Sequence, residues 1–489
     1  MSKGITMAAR PKRDLTTGPI GPALLAFAVP TLFSSVLQSL QGSINAIWVG
    51  RFLGEAALAA TSNANMILFL TLSFVFGFGM AATILVGQAF GRKDMDQVRR
   101  VIGTTIGGFF FVSVAFAVLG FVFSPQLLQL MGLAPEAMAS ALAYTRVIFL
   151  AIPLVMLTVI MTMSLRGAGD ALTPLWVMIG MAVIDCGLNP LLILGVGPFP
   201  QMGIAGSAMA TVVANIVGLI GLLAVIYLRD LPVRLRGAEF AYLKPDLALV
   251  KRIVAMGLPM GLQMIVLSVA GLAMMGLVNR EGVDTTAAFG VALQLWTYIQ
   301  MPSMALGAAV SAMAAQNIGA GKWDRVDRIT VNGIGYNLLI TGALVVVLAI
   351  ADRPALALFL GGESPALPIA QHIQLIVTWS FVMAGVAMTL FGTMRANGSV
   401  WWPLVILGVT QLPVRLGLAL ATYGWLGTDA IWAAYPISST LSMLAAVYVY
   451  RKGDWKKLKP LMGPPPTPDT AIEEANALTE PEGRMTPTG

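Results

Sequence analysis

Long apolar stretches alternate with short polar connections along the whole chain. Twelve of these stretches are long enough to cross the hydrocarbon core of a bilayer as helices, which takes about 20 residues each. Helices are predicted rather than strands because an isolated strand in lipid would leave its backbone polar groups unpaired. The predicted spans lie at about 22–49, 60–87, 102–124, 141–163, 172–195, 203–228, 253–279, 286–314, 329–351, 368–393, 401–424 and 428–450.

The composition supports an all-α integral membrane protein. Hydrophobic residues make up 57% of the 489 positions and charged residues only 11%, whereas soluble proteins carry about 25% charged residues. Cys186 is the only cysteine and His372 the only histidine. The sequence therefore allows no intrachain disulfide, no histidine metal cluster and no Ser–His–Asp triad, and it contains no Walker A phosphate loop. We expect neither enzymatic activity nor a cofactor.

The basic residues are distributed very unevenly between the two sides of this predicted topology. The N-terminus and every second connection carry all but five of the 30 Lys and Arg residues. The exceptions are Arg51, Arg146, Arg280 and Arg353 on the other side, and Arg415 inside a span. By the positive-inside rule, both termini are expected in the cytoplasm of a bacterium, with the protein in the inner membrane. Topology thus explains the net charge of +7 without nucleic-acid binding.

The same pattern divides the chain into five predicted regions. A basic N-terminal tail precedes a six-helix lobe, a cytoplasmic linker, a second six-helix lobe and a C-terminal tail. The last region is rich in Pro, Thr and Glu, which is typical of disorder. The predicted boundaries are 1–18, 19–228, 229–251, 252–451 and 452–489.

The two predicted lobes share an ordered series of motifs. Gln88-Ala-Phe-Gly91 is followed by Asp96 and Arg100, and Gln316-Asn-Ile-Gly319 is followed by Asp324 and Arg328, at a constant offset of 228. Pro30, Pro125, Arg166 and Pro174 match Pro259, Pro354, Arg395 and Pro403 at an offset of 229. Because each lobe has an even number of spans, the repeats are parallel and should face each other across a central cavity.

The repeated loop motif follows the second span of each lobe. Asp96 and Arg100 are four residues apart, as are Asp324 and Arg328, so each pair could form an ion pair along one helical turn. This spacing favours a structural role, in which the motif caps a helix and fastens the loop, rather than a role in substrate binding.

Four motifs occur in a fixed order along the chain. They are Ile47-Trp-Val-Gly50 followed by Gly54, Leu165-Arg-Gly-Ala-Gly-Asp170 with Pro174, Gly206-Ser-Ala-Met-Ala-Thr211, and Gln316-Asn-Ile-Gly-Ala-Gly-Lys322. Together they resemble the multidrug and toxic compound extrusion (MATE) family, in particular its DinF-like bacterial branch. The resemblance covers about residues 20–450. It implies a secondary exporter, acting as a monomer, that expels organic and often cationic compounds in exchange for H⁺ or Na⁺.

Two other functions remain open at this point. A flippase for lipid-linked oligosaccharides of the same superfamily would be expected to carry several cations in its cavity to meet a diphosphate, and only Arg415 is offered here. A receptor or scaffold that transports nothing belongs to a different class. The duplication and an acidic residue in mid-membrane argue against it.

Two charged residues fall near the middle of predicted spans, where a charge costs about 3 kcal/mol on insertion scales. Asp185 lies in the fifth span and Arg415 in the eleventh. We expect Asp185 to couple transport to an ion, although a structural ion pair would also account for such residues.

The resemblance implies partners for Asp185, although the acidic and amide residues stand in a different order here. Proteins of this branch usually carry an Asp where this chain has Asn45, and Asn followed four residues later by Asp-Pro where this chain has Asp185 followed by Asn189-Pro190. Thr211 keeps the usual residue of the sixth span. Asn45, Asp185, Asn189 and Thr211 are therefore the expected ion-coupling set. A lone, amide-flanked carboxyl could exchange a proton, whereas the same oxygens could bind Na⁺.

The second lobe lacks a comparable acid, because Gln263, Leu267 and Ser268 occupy the region where another MATE branch carries one. Arg415, Met260, Met264 and Trp296 are the candidates for lining a substrate cavity, since methionine adapts to varied ligands. Ordinary packing is the alternative for the methionines. Four glycines of the seventh span are expected to allow close helix approach: Gly257, Gly261, Gly271 and Gly276.

Overall fold

The computed structural model describes residues 14–130, 135–458 and 461, with backbone alone at 55–56, 58–60, 62–70, 130 and 135–137. The N-terminal tail up to residue 13 and the part of the C-terminal tail beyond 461 lie outside the described residues. The C-terminal tail was predicted to be disordered from residue 452, and this is wrong for its first residues. Asp454–Lys457 forms a short 3₁₀ helix, and Trp455 is 1% exposed and accepts a hydrogen bond at its carbonyl from Asn397 at 2.7 Å, because an indole ring in this segment gains by packing against the bundle. Every regular element within the described ranges is helical.

The described residues form fifteen α-helices. In chain order, α1 to α15 are Ile20–Leu53, Glu55–Gly91, Met95–Leu130, Pro135–Gly167, Leu172–Leu194, Ile204–Leu228, Leu247–Val278, Val283–Gly319, Trp323–Ile350, Asp352–Leu360, Ala366–Val377, Ser380–Ala396, Trp401–Val409, Arg415–Leu426 and Asp429–Lys452.

These helices give the twelve predicted spans. Ten stretches are individually long and apolar enough to cross a membrane, and the bent pair α11–α12 makes an eleventh. The remaining span is α8, a 37-residue helix. Both ends of α8 lie 228 residues after those of α2, so it is the second span of the second lobe. The predicted all-α fold of two six-helix bundles is therefore confirmed.

Two spans differ in detail from the prediction of simple helices. The tenth span is broken between α11 and α12, which meet at 43°. The eleventh continues from α13 to α14 through a π-helical turn at Thr410–Val414 that contains Pro413. Proline removes a backbone donor and clashes with the preceding turn, and a π turn absorbs that disruption. Arg415 lies directly after this turn.

The two lobes meet tightly toward one end of the bundle, which we call the basic face. This end holds residues 14–19, the last turns of α2 and α8, the linker 229–246 and residues 451–458. A methyl group added at Gly77 of α2 would lie 2.4 Å from backbone atoms of Gly257 and Gly261 on α7. Two of the four predicted close-approach glycines therefore serve that role.

Several glycines toward the opposite face have no close neighbour among the described residues. Gly271 and Gly276, in the second half of α7, have no atom of the described residues within 4 Å of an added methyl group. The same holds for Gly42 of α1 and Gly290 of α8. Among the described residues, the expected close helix approach is therefore seen at Gly257 and Gly261 and not at Gly271 and Gly276.

The linker packs against the first lobe. Its short 3₁₀ helix, Gly237–Leu243, lies on α3, where added methyl groups at Gly103 and Gly107 would meet Tyr242 and Leu243. Asp96 accepts a 2.5 Å hydrogen bond from the hydroxyl of Tyr242 instead of pairing with Arg100. The predicted ion pair within the motif is wrong here because a tertiary partner occupies the carboxylate.

Candidate functional site

A buried polar cluster lies inside the first lobe, where α1, α5 and α6 meet. Asp185 stands just past the midpoint of α5 and is 6% exposed, and Asn189, one turn further, is 1% exposed. Their spacing of four residues places both side chains on the same face of α5, turned toward the other two helices. The sequence-predicted pair is thus held on one rigid element.

Direct hydrogen bonds connect the predicted residues. The Thr211 hydroxyl donates to Asp185 Oδ1 at 3.1 Å, and Asn189 Nδ2 donates to Asn45 Oδ1 at 3.2 Å. The hydroxyl of Ser207 also donates to Asn45 Oδ1, at 2.5 Å. The structure therefore brings all four predicted residues together and adds Ser207, which precedes Thr211 by one helical turn.

A second residue missing from the sequence-based set is Tyr144 of α4. Its side chain is 2% exposed and forms a hydrogen bond with the side chain of Asn45. No local spacing relates Tyr144 to α1, so only the folded lobe reveals this contact. Ser207 was easier to anticipate, since it shares a face of α6 with Thr211.

Two features make the cluster suitable for a small cation or a proton. None of the ion pairs formed among the described residues includes Asp185. The carbonyl oxygen Oδ1 of Asn189 is buried and lacks a hydrogen-bond partner among the described residues. A buried polar atom without a partner is unfavourable, so an incoming ligand that supplies positive charge would satisfy both groups.

The second lobe carries a cationic counterpart. The Nε of Arg415 donates to the Ser438 hydroxyl at 2.9 Å, and its guanidinium carbon lies 4.2 Å from the ring centroid of Tyr435. The Trp296 ring is 5.6 Å from the same tyrosine, and its Nε1 donates to Gln374 at 2.8 Å. Arg415 and Trp296 therefore share one aromatic cluster.

The two methionine candidates lie one turn apart on α7. Met260 is 3% exposed and belongs to the large core cluster that also includes Leu390 and Phe391 of α12. Met264, one turn further along α7, is half-buried. Met260 therefore packs in a different core cluster from Trp296.

Two repeated lobes, twelve helical spans and a buried polar cluster define a multi-pass membrane transporter. The sequence pattern of the MatE family matches this chain twice, at residues 30–191 and 259–420. The two matches are offset by 229, as the internal repeat requires. The chain belongs to the MatE family, as its motifs predict, and members of this family are transporters and not enzymes.

Individual relatives agree with this assignment. The probable multidrug resistance protein YoeA of Bacillus subtilis is 37% identical over 433 residues, which span 88% of this chain and 93% of that protein. YpnP of the same organism, also described as a probable multidrug resistance protein, is 29% identical over 91% of this chain and 98% of its own length. A solved structure described as the outward-facing conformation of a multidrug resistance MATE family transporter covers 92% of this chain and 100% of its own, with a TM-score of 0.83 and 19% identity. That last likeness concerns the fold.

Proposed function

We propose that this protein is an ion-coupled exporter of organic compounds. An ion moving inward through the Asp185 cluster drives a compound outward as the two lobes alternate in access. The observation that carries the proposal is the buried carboxylate of Asp185, which has no cationic partner among the described residues. A charge in mid-membrane is costly and marks ion pathways in transporters.

The chemistry of the cluster supports H⁺ more than Na⁺ as the coupling ion. Carboxylate, amide and hydroxyl oxygens are hard donors that suit Na⁺, and Asn189 Oδ1 is available to bind one. However, Asn45 stands where relatives of this branch usually have a second acid, so the cluster holds one negative charge. A single carboxylate is enough to bind one proton. It holds a Na⁺ ion less firmly than two carboxylates would.

The substrate is proposed to be an organic, probe-like compound of the kind that multidrug exporters accept. YoeA and YpnP are described as probable multidrug resistance proteins. Arg415 and its aromatic neighbours Tyr435 and Trp296 supply cationic and aromatic groups in the second lobe. A flippase for diphosphate-linked lipids is less favoured, because Arg415 is the one cationic side chain in mid-span, among the described residues, that could bind a diphosphate. A receptor role is less favoured because it would leave the Asp185 cluster unused.

For location, we propose the bacterial inner membrane with the basic face in the cytoplasm. The linker and the segment after α15 place Lys and Arg at that face, which the positive-inside rule assigns to the cytoplasm. One chain holds both lobes, so a monomer suffices for alternating access.

Reconstituted vesicles test the coupling. In liposomes loaded with ethidium, an imposed H⁺ gradient should drive its transport without ATP, and a Na⁺ gradient alone should drive less. Faster transport with Na⁺ would reassign the ion while keeping the mechanism. Transport that requires ATP and ignores both gradients would overturn the proposal.

Single-cysteine labelling tests the orientation. In a Cys186→Ser background, Leu247→Cys at the basic face and Val283→Cys at the opposite face place thiols at positions that are 82% and 85% exposed. A membrane-impermeant maleimide should label Val283→Cys in intact cells and Leu247→Cys only after permeabilisation. Labelling of Leu247→Cys in intact cells would reverse the assigned orientation.

A further inference from the structure

The glutamines of the repeated motif form a matched pair of contacts between the lobes. Gln88 Nε2, at the end of α2, donates to the backbone carbonyl of Ala396 at 2.7 Å. Gln316 Nε2, at the end of α8, donates to the backbone carbonyl of Gly167 at 2.9 Å. The donors are 228 residues apart and the acceptors 229, so each bond is the repeat equivalent of the other. Each glutamine reaches from its own lobe to the last turn of a helix in the other.

The glycines of the same motif bring the two backbones together. A methyl group at Gly91 would lie 1.9 Å from the carbonyl oxygen of Gln316, and one at Gly319 would lie 2.0 Å from that of Gln88. Gln88 is 3% exposed and Gln316 is fully buried. The motif is therefore part of the contact between lobes, and the expected role as a helix cap within one loop does not describe it.

We propose that Gln88 and Gln316 form a reciprocal latch that holds the two lobes together at the basic face. Opening of the basic face separates the lobes and must break both bonds together. This inference rests on the alternating access of the proposed function. An intramolecular hydrogen bond contributes modestly, because water replaces it when it breaks. Such a contact biases an equilibrium between two states without trapping either.

The latch is unequal in strength on its two sides. Gln316 Oε1 also accepts a bond from the backbone N–H of Leu15 at 3.3 Å, and the neighbouring Asn317 donates to the Leu15 carbonyl at 3.1 Å. The segment before α1 therefore covers Gln316. Loss of Gln316 removes this contact in addition to the bond to Gly167, so it should favour opening more than loss of Gln88.

Distances between spin labels at the basic face test the latch directly. Labels on Lys93→Cys and Asp324→Cys, both exposed positions, report the separation of the lobes in a Cys186→Ser background. Gln88→Met removes the donor at nearly constant length and should raise the ratio of long to short distances about fivefold, the change expected for one buried hydrogen bond. Gln316→Met should raise it further, and the double variant about 25-fold or more, if the two bonds add.

Gln374→Met is the matched control. Gln374 is also a buried glutamine, 5% exposed, but its bonds to Trp296 and Thr378 stay within the second lobe. It should lower the melting temperature without lengthening the distances. An unchanged distance distribution in the double variant overturns the latch. If the double variant does not fold, Gln88→Met alone decides, and an unchanged distribution there has the same meaning.

The distances are measured without substrate or ion gradient, so the result does not depend on the coupling ion. Asp185→Asn added to the labelled Gln88→Met protein should leave the long-distance fraction raised. Lengthened distances together with a negative vesicle assay would support the latch and refute ion-coupled export. Ion-coupled export together with unchanged distances would refute the latch and support the coupling.

Discussion

Asp185→Asn is expected to reduce gradient-driven export to the level of empty vesicles while the protein still folds and inserts. The amide keeps the size of the carboxyl and can still accept the hydrogen bond from Thr211. It cannot bind a proton in the relevant range or hold a cation by charge. Burying an unpaired carboxyl is unfavourable, so the melting temperature should stay constant or rise. Proton or sodium uptake by vesicles, measured with ethidium export, reports the loss.

Asp170→Asn is the matched control on the same helix. Asp170 caps α5 at the basic face by accepting bonds from the backbone N–H of Leu172 and Thr173, at 3.1 and 2.9 Å. Asparagine caps helices about as well as aspartate and keeps Oδ1 as the acceptor, so this neutralisation should leave the melting temperature nearly unchanged and should preserve coupling. Export by Asp185→Asn at the parental rate under either gradient would reduce Asp185 to a structural polar residue.

The double exchange Asp185→Asn with Asn189→Asp refines this test. It restores the order of acid and amide that relatives of this branch usually show, on the same face of α5. Asn189 Nδ2 donates to Asn45 Oδ1 at present. An aspartate at 189 cannot donate, so the Asn45 amide must turn its NH₂ group toward the new carboxylate to keep a hydrogen bond. Partial recovery of export is expected, because the acid stays within the cluster while its contacts change.

Much of the fold could be predicted from the sequence, because lipid imposes a simple rule. An apolar stretch of spanning length must form a helix, and the repeat offset fixes how six spans are copied. The same reasoning could not find the break between α11 and α12 or the π turn before Arg415. Both features are local changes in backbone hydrogen bonding, and the π turn contains Pro413. The apolarity of a stretch does not reveal such changes.

The polar cluster was partly predictable for a similar reason. Asp185 stands out as a charge in an apolar span, and the spacing to Asn189 follows from helix geometry. Tyr144 and the acceptors of Gln88 and Gln316 were not predictable, since backbone carbonyls of Gly167 and Ala396 have no side-chain signal. The motif itself was visible, but its repeat alone could not separate a loop cap from a contact between lobes.

Gly91→Ala combined with Gly319→Ala is expected to prevent complete closure of the basic face and to reduce export to near background. Each added methyl group would meet a backbone carbonyl at 1.9 or 2.0 Å, whereas real contacts of this kind stay above 3.0 Å. Backbone cannot rotate aside as a side chain can, so α2 and α8 must separate by about 1 Å or more. That shift would stretch the bonds of Gln88 and Gln316 beyond good hydrogen-bond length.

Gly276→Ala and Gly290→Ala make the same change at positions where it is expected to be harmless. Both glycines lie inside helices, and an added methyl group has no atom of the described residues within 4 Å. Alanine is favoured over glycine in a helix interior by about 1 kcal/mol, so these variants should be equally or more stable and should export normally. Ethidium accumulation in cells and spin-label distances at the basic face distinguish the pairs. Normal export by the Gly91→Ala and Gly319→Ala double variant would show that transport does not require α2 and α8 to touch, and the closed basic face would then be one resting arrangement rather than an obligatory step of the cycle.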